Sequence, residues 1–327
     1  MIATLSVRQK LGQLLMVGVN PASADAAAAV VRTGAVGGIF LGGTATDLLT
    51  ENGLGPVRAA ANLPLAVAVD EEGGRVQRID AVDGKIPSPR TMSRTMNPDQ
   101  VRDLARTRGR ALRARGVTMD FAPVVDITDQ PDGAVIGDRS FGSDPAVVAT
   151  YALAFAQGLR EAGILPVVKH FPGHGRTSGD SHRGPVTTPP LAQLRTLDLL
   201  PYRAIQPTRP TAVMIGHLDV PDLTGGRPAS LAPATYRLLR TEYAFTGPAI
   251  TDDLGGMRAV TTRHPLPEAV LLALTAGADI AFWSSGDRLP EVITTLEQAF
   301  TSGRLPLARV DEALHRTLRA KSICSGS

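Results

Sequence analysis

Cysteine, aromatic residues and long apolar runs are all scarce in this sequence of 327 residues. Its single cysteine, Cys324, excludes an intramolecular disulfide and a zinc site built from several thiolates. No apolar run approaches the length of about 18 residues that a membrane-spanning helix needs, and residues 1–15 lack the basic and then apolar layout of a signal peptide. We therefore expect a protein of the reducing cytoplasm with no membrane partner, and export stays open only if a leader has been removed.

A large excess of one charge is also missing, since 34 Lys and Arg face 31 Asp and Glu. Arginines concentrate only at residues 101–116, and without interleaved aromatic residues this segment is typical of an exposed helix face, not of a nucleic-acid site. The 43% of hydrophobic residues can fill a large core, and no linker divides the chain. The composition predicts one domain over residues 1–327, expected to be a monomer with no nucleic-acid partner.

Short apolar, β-rich runs alternate with segments of helical character along the chain. The eight runs lie at residues 14–19, 36–43, 64–70, 117–126, 164–171, 211–218, 248–254 and 278–283. Helices are expected at residues 22–33, 45–61, 98–115, 144–163, 190–206, 231–243, 265–277 and 287–302. Continuously apolar strands between helices indicate a parallel sheet covered on both faces, and eight such units predict a (β/α)8 TIM barrel. A doubly wound open sheet is the alternative, because periodicity does not reveal closure.

A loop rich in glycine and proline follows the fifth run, with the sequence "KHFPGHGRTSGDSHRGP" at residues 169–185. Its helix breakers and its lack of apolar alternation predict a loop over about residues 172–190, lying as a catalytic flap over the barrel mouth. Asp180 and His182 are two residues apart, so the carboxylate can orient the imidazole for acid/base chemistry.

Metal binding by the histidines and Asp180 of this loop is the competing interpretation, since imidazole and carboxylate are common zinc ligands. The spacing argues against it. His170 and His174 are four residues apart, but Pro172 and Gly173 lie between them and remove the helical geometry that would bring the two rings together.

Polar side chains stand where the predicted strands end, which is the functional face of a TIM barrel. They are Asp70, Lys169, His170, His217, Asp252 and Asp253. Asp252 and Asp253 are adjacent, so on a strand they would point to opposite sides and at most one of them is expected to face the mouth. One carboxylate opposite one proton donor is the equipment of a glycosidase.

Four segments together resemble the bacterial β-N-acetylglucosaminidases (β-N-acetylhexosaminidases) of glycoside hydrolase family 3, single-domain type. They are "DEEGGRVQR" at 70–78, "GDRSFGSDP" at 137–145, "KHFPGHGRTSGDSH" at 169–182 and "ITDDLGGM" at 250–257. The resemblance extends over about residues 8–305. It implies a (β/α)8 barrel that removes terminal β-linked N-acetylglucosamine with retention through a covalent glycosyl-enzyme, and no cofactor or metal is expected.

The same resemblance implies roles for individual residues. Asp252 matches the nucleophile, His182 the general acid/base and Asp180 its orienting partner. The positions that match sugar-binding residues are Asp70, Arg78, Arg139, Lys169 and His170. His217 and Met257 are expected to line the site. Many glucosidase-like members carry a second domain that supplies the acid/base carboxylate. Because one domain is expected here, the acid is expected to come from the flap.

The resemblance leaves the aglycone and the acceptor open. Relatives without a signal peptide recycle cell-wall fragments, so a muropeptide carrying N-acetylglucosamine is the expected substrate, with chitooligosaccharides as related ligands. Phosphorolysis on the same scaffold and a metal-dependent barrel hydrolase are the alternatives. Two departures from the family pattern, Gly255–Gly256 and Arg176, could alter the leaving-group site. Alanine at Gly173 and Gly175 is expected to slow flap motion and turnover without unfolding the protein.

Overall fold

Eight parallel strands form a barrel in the computed structural model, which describes residues 2–205 and 210–325. The strands are β1 (Leu15–Gly18), β2 (Gly38–Phe40), β3 (Ala66–Val69), β4 (Met119–Asp120), β5 (Leu165–Phe171), β6 (Ala212–Ile215), β7 (Ala249–Thr251) and β8 (Ala281–Trp283). They pair in chain order, β8 also pairs with β1, and a parallel bridge between Ile250 and Ile280 links β7 to the start of β8. The predicted TIM barrel is therefore confirmed, and the open sheet is wrong.

Each predicted run contains one strand, but the strands are shorter than the apolar runs. The largest difference is at residues 117–126, where only Met119 and Asp120 form β4. Pro123 has no N–H to donate to a neighbouring strand, and beyond it Val124 makes a single bridge to Lys169. The apolar run continues because the residues after the strand are still buried, not because they are extended in the sheet.

The α-helices of the described residues surround the barrel. They are α1 (Val7–Gly12), α2 (Ala24–Gly34), α3 (Leu54–Ala59), α4 (Asp80–Asp83), α5 (Pro89–Thr95), α6 (Pro98–Ala114), α7 (Pro145–Glu161), α8 (Leu191–Thr196), α9 (Leu200–Ile205), α10 (Pro233–Arg237), α11 (Arg258–Thr261), α12 (Leu266–Ala276), α13 (Leu289–Thr301) and α14 (Leu307–Ser325). At α7 the Asp144 side chain accepts from the Ala146 N–H at 2.7 Å and Pro145 opens the helix, so its start is as predicted.

Three predicted helices are interrupted. In 45–61, Glu51 and Asn52 have left-handed backbones, with φ of 47° and 58°, and separate a short 3₁₀ turn from α3. The segment 190–206 divides into α8 and α9, and residue 206 lies outside the described residues. The segment 231–243 is α10 followed by a π-helical turn at Leu238–Glu242. The helices α1, α4, α5, α11 and α14 were not predicted.

The hydrophobic core has two layers. Inside the barrel, the rings of Phe40, Phe121 and Phe282 meet at centroid distances of 5.0 to 5.4 Å. The larger layer fills the space between the strands and the surrounding helices. The three rings form the floor on which polar residues at the carboxyl ends of the strands stand.

The arginine-rich segment 101–116 lies in α6 and the two residues after it, and its charges are largely paired within the chain. Arg106 pairs with Asp103 and Glu161, and Arg115 pairs with Asp83. Arg108 is buried and donates to Gly84 O, so the prediction of an exposed arginine face is wrong at this residue. No helix in 2–205 or 210–325 combines the length and the apolarity required to cross a bilayer.

Candidate active site

A cavity of about 570 Å³ opens at the carboxyl ends of the strands. Its floor is the three-phenylalanine cluster with Met214, and Val76 and Met257 contribute further apolar surface. The polar lining consists of Asp70, Glu72, Arg78, Arg139, Lys169, His170, His182, Asp252, Asp253 and Ser284. Most of the side chains predicted from the strand ends and the flap therefore meet in one place, and Met257 lines it as expected.

A cluster of opposite charges forms one wall of this cavity. Lys169 Nζ lies 2.6 Å from Asp70 Oδ1 and 2.5 Å from Glu72 Oε1. Arg139 makes two bonds of 2.8 Å to the fully buried Glu72 carboxylate, and Arg78 Nη2 lies 3.6 Å from Asp70 Oδ2. Burial raises the pKa of Glu72, but Arg139 and Lys169 outweigh it and hold that pKa well below its usual range.

Asp252 follows β7 directly and its carboxylate is anionic. Burial raises its pKa, but His170, His217, the Asp253 N–H and Lys169 together lower it below the ordinary aspartate value. The Asp253 N–H donates to Asp252 Oδ1 at 2.9 Å. Asp252 therefore presents a charged oxygen to the cavity without a direct ion pair to any of the described residues.

Asp253 also reaches the cavity lining, so the expectation that at most one aspartate faces the mouth is wrong. The reason is that β7 ends at Thr251, and the strand alternation does not extend to the two aspartates. Asp253 Oδ1 accepts from the N–H groups of Gly255, Gly256 and Ser284 at 2.9, 2.9 and 3.1 Å. A Cβ on Gly256 would lie 2.4 Å from Asp253 Oδ2, so the double glycine lets the backbone wrap around this carboxylate.

The flap carries the predicted Asp180–His182 pair in hydrogen-bonding geometry. His182 Nδ1 lies 2.8 Å from Asp180 Oδ1, and the His182 N–H donates to the same oxygen at 2.9 Å. Burial raises the pKa of Asp180, but the bonds from His182 outweigh it and lower that pKa. The His182 side chain is 59% exposed and lines the same cavity as Asp252.

The flap is more ordered than a simple loop. Val186 and Thr187 form a short parallel pairing with Leu218 and Asp219, where the sequence predicted no strand. The glycines at its base pack closely: a Cβ on Gly175 would lie 2.1 Å from Ile127 O, and one on Gly173 would lie 2.7 Å from Asp198 Cβ. Alanine would meet a backbone oxygen at Gly175 and would be strained at Gly173, where φ is 131°, so we expect a cost in stability as well as the predicted loss of turnover.

Asp126 joins the two histidines at the base of the flap. His170 Nδ1 lies 2.6 Å from Asp126 Oδ2, and the His174 N–H donates to Asp126 Oδ1 at 2.6 Å. The two rings meet edge to face with centroids 5.8 Å apart, so Pro172 and Gly173 do not keep them apart as the spacing suggested. No group of three or more His, Cys, Asp or Glu placed to hold a metal ion occurs in the described part of the chain.

Several residues singled out from the sequence are absent from the cavity lining, among them Asp180, His217 and Arg176. His217 is buried with Nδ1 2.7 Å from Ser230 Oγ and Nε2 3.0 Å from Asp253 O. Because both ring nitrogens are engaged there, it supports the aspartate loop from behind and does not line the mouth. Arg176 bonds the buried Asp198 at 2.6 Å, so its charge is used inside the flap base and not at a leaving-group site.

Glu72 and Asp126 were missed by the sequence analysis. Asp126 ends the predicted run 117–126, and the rule that strand ends carry function would have found it. Glu72 lies inside the "DEEGG" motif, but its partners are 67 and 97 residues away in the sequence, and no local pattern connects them.

Comparisons with known proteins agree with this geometry. Residues 6–320 match the family model described as "Glycosyl hydrolase family 3 N terminal domain". The curated Beta-hexosaminidase LpqI of Mycobacterium tuberculosis (strain ATCC 25618 / H37Rv) is 54% identical over 326 residues, which cover 98% of this chain and 84% of that protein.

Solved structures give the same result. A glycosyl hydrolase of the GH3 family from Mycobacterium smegmatis str. MC2 155 superposes with a TM-score of 0.95 at 53% identity, covering 98% of both chains. A glycoside hydrolase family 3 β-N-acetylglucosaminidase from Paenibacillus sp. str. FPU-7 superposes with a TM-score of 0.92 at 32% identity, covering 99% of this chain and 64% of that one. The chain therefore belongs to glycosyl hydrolase family 3.

Proposed function

We propose that this protein is a retaining β-N-acetylhexosaminidase that hydrolyses terminal β-linked N-acetylglucosamine. One observation carries the proposal: a partly buried anionic carboxylate, Asp252, and a carboxylate-oriented imidazole, His182, line the same sugar-sized cavity. A relative at 54% identity is named as a beta-hexosaminidase, and a structural neighbour is titled a β-N-acetylglucosaminidase. The family and the site chemistry both support a glycoside hydrolase.

In the first proposed step Asp252 attacks the anomeric carbon while the bond from that carbon to the leaving oxygen breaks. His182 gives its Nε2 proton to this oxygen, and Asp180 holds the opposite ring nitrogen at 2.8 Å. The product is a sugar ester of Asp252. In the second step His182 takes a proton from water, the water oxygen attacks the anomeric carbon, and the bond to Asp252 breaks. Both substitutions invert the anomeric carbon, so the net result is retention.

The charge cluster beside Asp252 is proposed to hold the sugar hydroxyls. Asp70 and Lys169 both face the cavity. The Asp70 carboxylate accepts hydrogen bonds from sugar hydroxyls, and the Lys169 ammonium donates to them. Arg78, Arg139 and His170 extend this polar wall. Glu72 is fully committed to Arg139 and Lys169, and its role is to keep these two cations in place.

The proposed natural substrate is a muropeptide fragment with a terminal N-acetylglucosamine, handled by a monomer in the cytoplasm. The sequence resemblance to recycling enzymes supports the substrate, and the single cysteine supports a reducing compartment. Transfer of the sugar to phosphate uses the same first step, so an assay with and without phosphate is needed to distinguish water from phosphate as the acceptor.

The test is release of p-nitrophenol from p-nitrophenyl β-N-acetylglucosaminide, with and without EDTA and with and without phosphate. We expect activity that survives EDTA and is lost in Asp252→Asn and His182→Asn. His264→Asn is the matched control, because His264 bonds Glu268 at 3.3 Å and is not in the cavity lining. Loss of activity with EDTA would favour the metal-dependent alternative, and activity only with phosphate would favour the phosphorylase.

A further inference from the structure

The flap is fixed at a residue between the two members of the Asp180–His182 pair. Ser181 is fully buried, whereas the neighbouring His182 side chain is 59% exposed. The Ser181 hydroxyl lies 2.8 Å from His174 Nε2, and the His174 ring is itself buried. Ser181 is therefore the point at which this stretch of the flap connects to the interior.

The partner of Ser181 is rigidly held. Thr177 Oγ1 lies 3.1 Å from His174 Nδ1, so both ring nitrogens of His174 are engaged. The His174 backbone is bound to Asp126, and Asp126 binds the His170 ring at 2.6 Å. A continuous set of hydrogen bonds thus runs from His170, in the cavity wall, to the Ser181 hydroxyl.

The backbone of the same stretch is bound on the side of the nucleophile. Ala259 N–H donates to Ser181 O at 3.1 Å, and Arg258 N–H donates to His182 O at 3.4 Å. These donors begin six residues after Asp252 in the chain. Ser181 is consequently held between the His170 anchor and the segment that follows Asp252.

We infer that Ser181 is a positioning residue: its hydroxyl bond to His174 holds His182 over the anomeric centre, opposite Asp252. This inference rests on the proposed glycosidase function. Removal of the hydroxyl leaves His174 Nε2 without its partner and removes the side-chain bond that ties residue 181, between Asp180 and His182, to the interior. The imidazole keeps its chemistry but loses its fixed distance to the leaving oxygen.

Displacement of a general acid has a specific kinetic signature. A general acid contributes roughly 10²- to 10⁴-fold, and a shift of about 1 Å can cost on the order of 100-fold. A dinitrophenolate leaves without protonation, whereas a phenolate leaving group needs the proton. Ser181→Ala should therefore lower kcat/KM about 10- to 100-fold for phenyl β-N-acetylglucosaminide and less than about 3-fold for the 2,4-dinitrophenyl glycoside.

The experiment measures the ratio of kcat/KM for these two glycosides in wild type, Ser181→Ala, Ser181→Thr and Ser178→Ala. The ratio is independent of the fraction of folded enzyme, so partial loss of stability does not obscure it. Ser178 is the matched control, since its hydroxyl accepts from Thr187 N–H at 2.9 Å and lies outside the Ser181–His174 bond. We expect the dinitrophenyl value divided by the phenyl value to rise about 3- to 100-fold in Ser181→Ala, to return towards wild type in Ser181→Thr, and to stay unchanged in Ser178→Ala.

Azide provides a second readout. It attacks the glycosyl-enzyme without base assistance, so it should raise kcat of Ser181→Ala on the dinitrophenyl glycoside and leave wild type nearly unaffected. An active wild type with the same substrate ratio in Ser181→Ala would overturn the positioning role and leave the glycosidase standing. A wild type inactive on both glycosides would instead overturn the proposed function itself.

Discussion

Glu72→Gln is expected to destabilise the protein strongly although Glu72 is assigned no contact with substrate. The carboxylate is fully buried and balances Arg139 at 2.8 Å and Lys169 at 2.5 Å. Breaking a buried ion pair by removing one partner costs about 3–5 kcal/mol, and Lys169 keeps Asp70 at 2.6 Å, so about 3 kcal/mol is expected. Urea unfolding at pH 7 measures it. Glu297→Gln, which breaks the exposed pair with Arg8, is the control and should cost less than about 1 kcal/mol.

The pH dependence gives this prediction a second requirement. The pKa of Glu72 is lowered in the folded protein, so its stabilising effect is complete above the ordinary value of 4.5 and is lost as the pH falls below it. The stability difference between wild type and Glu72→Gln should therefore shrink by about 1.4 kcal/mol for each pH unit below that value. A difference under about 1 kcal/mol at pH 7, or one that stays constant down to about pH 3.5, would refute the assignment of Glu72 as the anchor of both cations.

Two further predictions concern Gly175, at the base of the flap, and Lys321, in the helix α14. Gly175→Ala should lower the free energy of unfolding by about 1–3 kcal/mol, because its Cβ would lie 2.1 Å from Ile127 O. Gly184→Ala is the control and should leave stability unchanged, because the space around Gly184 is open. Equal melting temperatures for the two variants would contradict the packing role of Gly175. Burial lowers the pKa of Lys321 to about 7. As the pH is lowered from 10.5 to 7 the unfolded chain binds a proton at this lysine and the folded chain does not, so the wild-type free energy of unfolding should fall by about 1.4 kcal/mol for each pH unit. Lys321→Met should lack this slope in urea titrations at several pH values, and an identical slope in both proteins would contradict the assignment.

The number and type of the barrel units could be predicted because each strand is continuously apolar and each helix has its own periodicity. Strand lengths could not, since a buried residue after β4 is as apolar as one within it. The helix α14 repeats the helical spacing with Leu307, Val310 and Leu314, but it comes after the eighth unit, and a count of eight units leaves it out. The break at Glu51 and Asn52 falls at an Asn52–Gly53 pair, a turn signal that the assignment of one helix over 45–61 passed over.

The candidate site divides in the same way. Asp180 and His182 are close in sequence, so their hydrogen bond follows from spacing. The ion pairs of Glu72 depend on β3, β5 and the loop at Arg139 meeting in space, and the pairing of β3 and β5 on either side of β4 brings them together. His217 carries the same signal as a lining residue, but its partners Ser230 and Asp253 turn it away from the cavity.

The central claim is that Asp252 forms a covalent bond to the sugar, and trapping that ester tests it most directly. A 5-fluoro glycosyl fluoride of N-acetylglucosamine transfers its sugar quickly and hydrolyses slowly, so the ester accumulates. We expect the intact protein to gain one fluorosugar, and we expect peptide mapping to assign it to Asp252. Full turnover without an adduct, as in catalysis by the substrate's own acetamido group, or an adduct on Asp253, would contradict the account.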